Sequence, residues 1–216
     1  MFRIRIQNKK KCIWYCSAVV SFLLFLLLLG WTNHLANTQD AQQMAGRWSE
    51  KKDVAQISCF FSSKAEVTED TIQSFEYSLK NVLQEASITE TSENPSARLW
   101  VDAYSADGKI TLVNGKNTLD ANAIGIGGDF FMFHPLKLIT GAYFSGNDLM
   151  QDYCIIDQDA AWQLFGSNDV VGMTVYIGNV PHIVTGVVQR PDSRMDKAAG
   201  LNSTVVYVSY ETLSAY

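Results

Sequence analysis

The sequence predicts an α+β fold, in which one N-terminal transmembrane helix is followed by an extracytoplasmic mixed α/β domain. Three observations lead to this prediction. An uncharged apolar run occupies residues 12–31, an amphipathic helix begins after Thr68, and short strand-like runs separated by glycine-containing turns fill the rest of the chain. Strands and helices that follow each other without a regular alternation are typical of the α+β class.

Charge is distributed unevenly along the chain. Among its 216 residues are 17 basic and 22 acidic ones, and residues 1–11 hold five of the basic residues and no acidic one. The acidic remainder lacks the positive charge that phosphate contacts require, which argues against nucleic acid as a partner. A basic segment directly before an apolar run is typical of the cytoplasmic flank of a membrane helix.

The apolar run has the dimensions of a membrane span. Residues 12–31 would form a helix about 30 Å long, which is the thickness of the hydrocarbon layer. Trp14, Tyr15 and Trp31 lie near its ends, where aromatic side chains favour the interface. A cleaved signal peptide is the alternative, but the run is long for that class and no A-x-A site follows it. We therefore favour a retained anchor in contact with membrane lipid.

These features divide the chain into four predicted parts. They are a cytoplasmic basic stub at residues 1–11, a transmembrane helix at 12–32, a stalk or linker at 33–52, and an extracytoplasmic domain at 53–216. The charge rule places the N-terminus in the cytoplasm and the main domain outside the cell membrane, as a single-pass protein.

The outer domain is predicted to begin with a split β-α-β-like unit. Residues 54–61 form an apolar run of strand length, and Thr68 is suited to cap the helix after it. This helix has an apolar stripe that we expect to pack on a sheet, formed by Ile72, Phe75, Leu79, Val82, Leu83 and Ala86. Strands at 98–104 and 109–113 are predicted to form a hairpin around Asp107 and Gly108.

A strand–helix–hairpin segment is predicted further along the chain. Residues 153–156 are an apolar run, Asp157 is a helix N-cap, and the helix at 158–165 ends at Gly166. Two β-rich runs then flank Gly178 and Asn179, a pair typical of a hairpin turn.

Five short motifs in and before this segment carry a family resemblance. They are Asp129-Phe130-Phe131, Gly141-Ala142-Tyr143-Phe144, Leu164-Phe165-Gly166, Asp169-Val170-Val171-Gly172 and Thr185-Gly186-Val187-Val188. In this order they resemble the N-terminal part of the extracytoplasmic core domain of MacB-type ABC transporter permeases. The departures are Ala142, Val170 and Met173, where the family usually has arginine, proline and a basic residue.

The resemblance implies a function without catalysis. It implies a membrane-anchored component of an ABC permease system, acting in export or mechanotransmission, with an ABC ATPase subunit and a further permease subunit as partners. The alternative is an anchored extracellular binding or adhesion module without a transport role. Family members have three further membrane helices after the outer domain, whereas no second apolar run of membrane length precedes Tyr216 here. We therefore expect a fragment, a truncated product or a stand-alone relative, with the MacB-like domain incomplete at its C-terminal end.

The sequence contains no complete motif for catalysis, nucleotide binding or metal binding. The chain has three histidines and no G-x-S-x-G elbow, which argues against a hydrolase. Glycines at 125, 127 and 128 lack the rest of a dinucleotide or P-loop motif, so we expect them to serve backbone turns. Asp152, Asp157 and Asp159 lack EF-hand spacing. We therefore predict no enzyme activity, no catalytic or metal-binding residue and no cofactor.

Two groups of residues have open alternatives. Phe130, Phe131 and Phe133 form an aromatic cluster that is a candidate partner-contact surface, although a role in the core is the more ordinary one. Cys59 and Cys154 lie in predicted strands and would be able to pair if those strands were neighbours. Two buried free thiols are the preferred alternative.

Overall fold

The computed structural model describes residues 2–37, 43–49, 54–89, 98–146, 148–190, 197–198 and 203–216. The chain divides into two compact units, Met1–Gln56 and Ile57–Tyr216. In the first unit, helix α1 spans Phe2–Asn37 and the short helix α2 spans Met44–Trp48. The segment Lys11–Leu35 of α1 has a mean hydropathy of 2.5 and is long and apolar enough to cross a membrane, as a signal sequence would also be.

The second unit is built on a seven-stranded mixed sheet, in which six strands close into a barrel and β3 pairs with β6 beside it. Its strands are β1 Ala103–Asn114, β2 Asn117–Gly128, β3 Leu138–Gly141, β4 Tyr153–Asp157, β5 Thr174–Ile177, β6 Val180–Val188 and β7 Val205–Ser209. Their order is β3-β6-β4-β7-β2-β1-β5. Closure occurs because β5 pairs with β1 and also with the N-terminal half of β6, while β3 pairs with the C-terminal half of β6.

Among the described residues of the second unit, four α-helices of four or more residues accompany the barrel, and a 3-10 helix spans Ser63–Ala65. The α-helices are α3 Glu69–Glu85, α4 Phe130–Phe133, α5 Gln158–Phe165 and α6 Tyr210–Ser214. The β2–β7 and β4–β6 pairs are parallel and the remaining pairs are antiparallel. The predicted α+β class is therefore confirmed.

The predicted strand–helix–hairpin segment is confirmed in β4, α5, β5 and β6. Asp157 caps α5 because its Oδ1 accepts a hydrogen bond from the Ala160 backbone N–H at 2.7 Å. Gly166 ends the helix with φ 74°, a conformation that glycine adopts without steric cost. Strands β5 and β6 form the predicted antiparallel hairpin, and the chain turns at Gly178.

Alternation along the strands creates two cores. The interior core takes side chains from all six barrel strands and from α5, including Leu112, Ile156 and Val206. The outer core lies on the opposite face of β2, β4 and β7 and includes Ile155 and Tyr207 together with Phe130 and Phe131 of α4. Because both faces of β4 are covered, its sequence is a continuous apolar run rather than an alternating one.

The predicted hairpin around Asp107 and Gly108 is wrong. Both residues lie inside β1, which continues to Asn114, and the turn comes at Gly115, which has φ 60°. A Cβ at Gly108 would meet Leu213 of α6 at 2.9 Å, so this glycine permits close packing of a helix on the strand.

The predicted first strand at residues 54–61 is also wrong. These residues are not in a strand, and most of them are exposed. None of the described strand pairings includes this segment. A strand-like composition is a local preference and does not by itself supply a pairing partner. Helix α3 forms as predicted, with Thr68 accepting from the Thr71 N–H, but no residue of α3 is buried. Phe75 and Val82 of its apolar stripe are 66% and 60% exposed.

Candidate functional site

Helix α3 joins the barrel through a small set of polar contacts, which we call the α3 attachment site. It consists of Val67, Glu69, Glu76, Asp102, Tyr104 and Tyr210. The Tyr104 hydroxyl donates to Glu69 Oε1 at 3.0 Å, and the Tyr210 hydroxyl donates to the Val67 carbonyl at 3.0 Å. The two tyrosine rings meet edge to face, with centroids 5.3 Å apart. One barrel strand and helix α6 thus both hold the N-terminal end of α3.

A pair of carboxyl groups forms the second part of this site. Glu76 lies near the carboxyl groups of Asp102 and Glu69. Negative charge on neighbouring carboxylates disfavours ionisation of Glu76. Burial, followed by the neighbouring Asp102 and Glu69, raises the pKa of Glu76 to about 7. Burial and the bond to Glu69 also raise the pKa of the Tyr104 phenol.

Glycines at the end of β2 position the barrel side of the site. A Cβ at Gly127 would lie 2.1 Å from the Tyr104 ring, so only glycine lets the ring rest on the strand. The Asp102 carbonyl accepts from the Asp129 N–H at 2.9 Å, and Arg98 forms an ion pair with Asp129 at 2.6 Å. These contacts fix the backbone that carries Asp102.

The predicted aromatic surface divides between core and surface. Phe130 and Phe131 are only 6% and 9% exposed and belong to the outer core. Their burial agrees with the alternative that these residues serve the core. Phe131 stacks on Tyr143 with centroids 4.4 Å apart. Phe133 is partly exposed, and its contact with a partner stays a prediction.

His182 is buried next to hydroxyl groups but does not form a catalytic triad. Its Nε2 lies 3.2 Å from Thr212 Oγ1, and the Ser209 hydroxyl donates to Thr212 Oγ1 at 2.8 Å. A triad needs an acid on the other ring nitrogen, whereas Nδ1 of His182 faces the Val180 carbonyl at 3.1 Å. Burial lowers the pKa of His182, and this imidazole ties β6 to α6.

The three aspartates considered for metal binding have other roles or lie apart. Asp157 is 2% exposed and accepts from Arg190 Nη2 at 2.7 Å and from the Val205 N–H at 3.0 Å. Arg190 also pairs with Asp159 at 2.7 Å. Within the described ranges, no three His, Cys, Asp or Glu residues are grouped so as to hold a metal ion. This cluster instead joins the ends of β4 and β6 to the start of β7.

The glycines at 125, 127 and 128 lie in β2 rather than in a phosphate-binding loop. Only Gly128 has positive φ, at 61°, so the expected turn role holds for that residue alone. A Cβ at Gly125 would meet Leu213 at 2.8 Å, which shows that this glycine admits α6 against the strand.

The two cysteines of the outer domain have different environments. Cys154 is buried in the interior core, whereas Cys59 is exposed, and both thiols are free. The possible disulfide is therefore not formed, and the expectation that both thiols are buried is wrong for Cys59. Burial raises the pKa of the Cys154 thiol.

Sequence reasoning missed the polar members of the α3 attachment site. Glu69, Glu76, Asp102, Tyr104 and Tyr210 are widely separated in the chain and form no motif. The available signal was weak: glycine at 127 inside a strand indicates a close approach by another group.

The chain thus combines an apolar helix long enough to cross a membrane with an α+β barrel. The family described as the MacB-like periplasmic core domain matches residues 20–216. The chain belongs to this family, and the resemblance seen in its motifs is confirmed.

Several known proteins are similar to parts of the chain. The macrolide export ATP-binding/permease protein MacB of Chromobacterium violaceum is 32% identical over 99 residues, which cover 45% of this chain and 15% of that protein. The protein of the same description from Shewanella sp. is 31% identical over 120 residues, covering 53% and 18%. A crystal structure of the periplasmic region of MacB from Actinobacillus actinomycetemcomitans is 26% identical, covers 55% of this chain and 52% of that chain, and has a TM-score of 0.42. The chain thus spans less than a fifth of the length of these curated relatives.

Proposed function

We propose that this chain is a membrane-anchored component of an ABC transporter permease system, whose outer domain acts by contact and movement rather than by catalysis. The observation that carries the proposal is the family match over residues 20–216, which begins within the apolar segment of α1 and continues through the barrel. An ABC ATPase subunit and a further permease subunit are the proposed partners.

The construction of the barrel supports a role in export or mechanotransmission. Closure of the sheet leaves no strand of the barrel itself unpaired, and the buried Asp157–Arg190 pair ties three strand ends together. A rigid body of this kind transmits a movement of one surface to another surface, because a packed interior resists deformation. Nothing in this role requires the domain to bind a cofactor.

The proposed orientation has the N-terminus in the cytoplasm and the barrel outside. Cys59 is exposed in the outer domain and Cys154 is buried, so a membrane-impermeant maleimide added to intact cells should label Cys59 alone among these two. Cys59→Ser is the matched control and should remove that label. Labelling of Cys59 only after the cells are permeabilised would contradict this orientation.

Co-purification tests the proposed function directly. The full chain, tagged and produced at its native level, would be extracted from its own membrane in mild detergent, with an unrelated tagged single-pass protein as control. Enrichment of an ABC ATPase or of a multi-helix permease over the control supports the proposal. Enrichment of extracellular or wall components alone would contradict it and favour an anchored binding module.

The partly exposed Phe133 provides a variant for the same experiment. If this side chain contacts a partner, Phe133→Ala should lower recovery of the permease while the barrel stays folded. Unchanged recovery would remove Phe133 from the contact surface.

A further inference from the structure

A cavity of about 320 Å³ lies between α6 and the start of β6, and we call it the α6 cavity. Its walls come from the residues before β4, from the first residues of β6, and from α6 with the residues that follow it. Its lining includes Asp152, Val180, His182, Glu211, Ala215 and Tyr216. Its volume falls at the lower end of the range of small-molecule sites, which typically measure about 300–1,000 Å³.

Backbone and side-chain contacts fix the walls of the α6 cavity. The Thr212 hydroxyl donates to the Gln151 carbonyl at 3.0 Å, and the Asp152 carbonyl accepts from the Ile183 N–H at 2.8 Å. Leu213 of α6 fits closely against glycines of β1 and β2. The cavity therefore exists before a ligand enters, and a preformed site lowers the entropic cost of binding.

Two carboxylates line the α6 cavity without a basic partner. Asp152 is half-buried and Glu211 is exposed. Among the described residues, no ion pair or side-chain hydrogen bond reaches either carboxyl group. The lining residues include no lysine or arginine. A cation bound here would offset the cost of holding negative charge in a partly buried place.

His182 forms part of the wall and adds little positive charge. Its two ring nitrogens already face the Val180 carbonyl and the Thr212 hydroxyl. Burial lowers the pKa of His182, although the Val180 carbonyl and Asp152 act in the opposite direction. Because the ordinary pKa of histidine is about 6.5, the imidazole is mainly neutral above pH 7. The charges of Asp152 and Glu211 therefore remain unbalanced.

The rest of the lining is largely apolar and aromatic. Val180, Ala215 and the Tyr216 ring are exposed and available to a ligand. A side chain at Gly178 would overlap Tyr216, so this glycine lets the tyrosine lie against the β5–β6 turn. Aromatic faces attract cations. Apolar surface beside negative charge suits a ligand with an apolar body and one positive charge, and it repels anions.

We propose that the α6 cavity binds a small organic cation, in which an alkylammonium group is attached to an apolar body. The ammonium group lies between the carboxylates of Asp152 and Glu211, and the apolar body contacts Val180, Ala215 and Tyr216. Binding is noncovalent and involves no reaction. The site does not depend on the proposed transport function, since it rests on contacts within the outer unit alone.

Titration with 2-phenylethylammonium tests this site. The full chain would be purified in a neutral maltoside detergent with isotope-labelled alanine and threonine methyl groups and observed by NMR at pH 7.5. The methyl signals of Thr212 and Ala215 should shift saturably with a Kd on the order of 1 mM, as expected for a ligand with nine non-hydrogen atoms. The methyl signal of Ala160, in the interior core, should not shift. The uncharged 2-phenylethanol has the same size and should bind about tenfold more weakly.

Three substitutions separate the charges of the cavity from charge elsewhere. Asp152→Asn removes a half-buried charge at constant size and should raise the Kd of the amine by about tenfold. Glu211→Gln removes an exposed charge, which solvent screens, and should raise the Kd by about threefold. Glu85→Gln makes the same change at an exposed position of α3 and should leave the Kd unchanged.

Any of three results would overturn the proposal. They are the absence of saturable shifts at Thr212 and Ala215 up to about 20 mM amine, equal affinity for the amine and the alcohol, and wild-type affinity in both carboxylate variants. An unchanged Ala160 signal shows that a variant keeps its barrel. If Asp152→Asn loses this signal, Glu211→Gln decides the question, because its exposed side chain is not needed for packing.

Discussion

The barrel and helix α3 have equally clear sequence patterns but very different surroundings. In β4 the apolar run of residues 153–156 is covered on both faces, with Ile155 in the outer core and Ile156 in the interior core. In α3 an equally regular apolar stripe leaves Phe75 and Val82 largely exposed. Periodicity reveals which face of an element is apolar, whereas burial requires a second surface that the pattern does not encode.

The two regions are also held by different forces. The barrel combines a closed hydrogen-bonded sheet with a fully buried interior, whereas two tyrosine hydroxyls hold α3 and the residue before its cap. Mutations should therefore unfold the barrel as a unit but release α3 locally. The following variants test this contrast, in order of expected effect.

The largest loss of stability is expected from Arg190→Ala. The change leaves the carboxylate of Asp157 buried without its cation, which typically costs about 3–5 kcal/mol. Asp159→Asn is the matched control: it removes the half-exposed partner of the same arginine and should cost about 0–1 kcal/mol. Urea titration of the full chain in detergent measures both, and equal effects would contradict a special role for the buried pair.

A matched pair of apolar truncations compares the two regions directly. Leu112→Ala empties space in the interior core, where Leu112 is fully buried, and should cost about 2–5 kcal/mol. Val82→Ala on α3 should change stability by no more than about 0.5 kcal/mol because its side chain is exposed. A loss above about 2 kcal/mol for Val82→Ala would mean that α3 packs on the barrel in solution.

A smaller and more local effect is expected from Gly127→Ala. The added methyl group would displace the Tyr104 ring and break its bond to Glu69, at a cost of about 1–3 kcal/mol for overpacking. Exchange protection should fall in α3 while β4 stays protected.

Tyr104→Phe isolates the hydrogen bond from the packing of the ring. It removes only the hydroxyl and should cost about 0.5–1.5 kcal/mol, again with the effect confined to α3. If either substitution at this contact lowered protection throughout the barrel and spared α3, the proposed attachment site would be wrong.

Local signals in the sequence predicted much of the barrel. The Asp157 cap, the glycine at 166 and the turn at Gly178 each act within a few residues, and all three formed as expected. Asp107 and Gly108 gave the same kind of turn signal but lie inside a continuous strand, because long-range pairing of β1 with β2 outweighs a local turn preference.

Other features depend on contacts between distant parts of the chain and were not predictable. The run at 54–61 has the composition of a strand, yet none of the described strands pairs with it. Cys154 and Cys59 looked alike in sequence but differ in burial. The α3 attachment site joins residues from α3, β1 and α6, and only the folded chain brings Glu76 to Asp102.

Hydrogen exchange of the purified full chain at pH 8 tests the central contrast most directly. The account predicts that amides of β4 and β7 exchange only on global unfolding, while those of Glu69–Glu85 exchange through local release at least about tenfold faster. Equal protection of α3 and the barrel strands would show that one cooperative unit includes both, and would contradict the account.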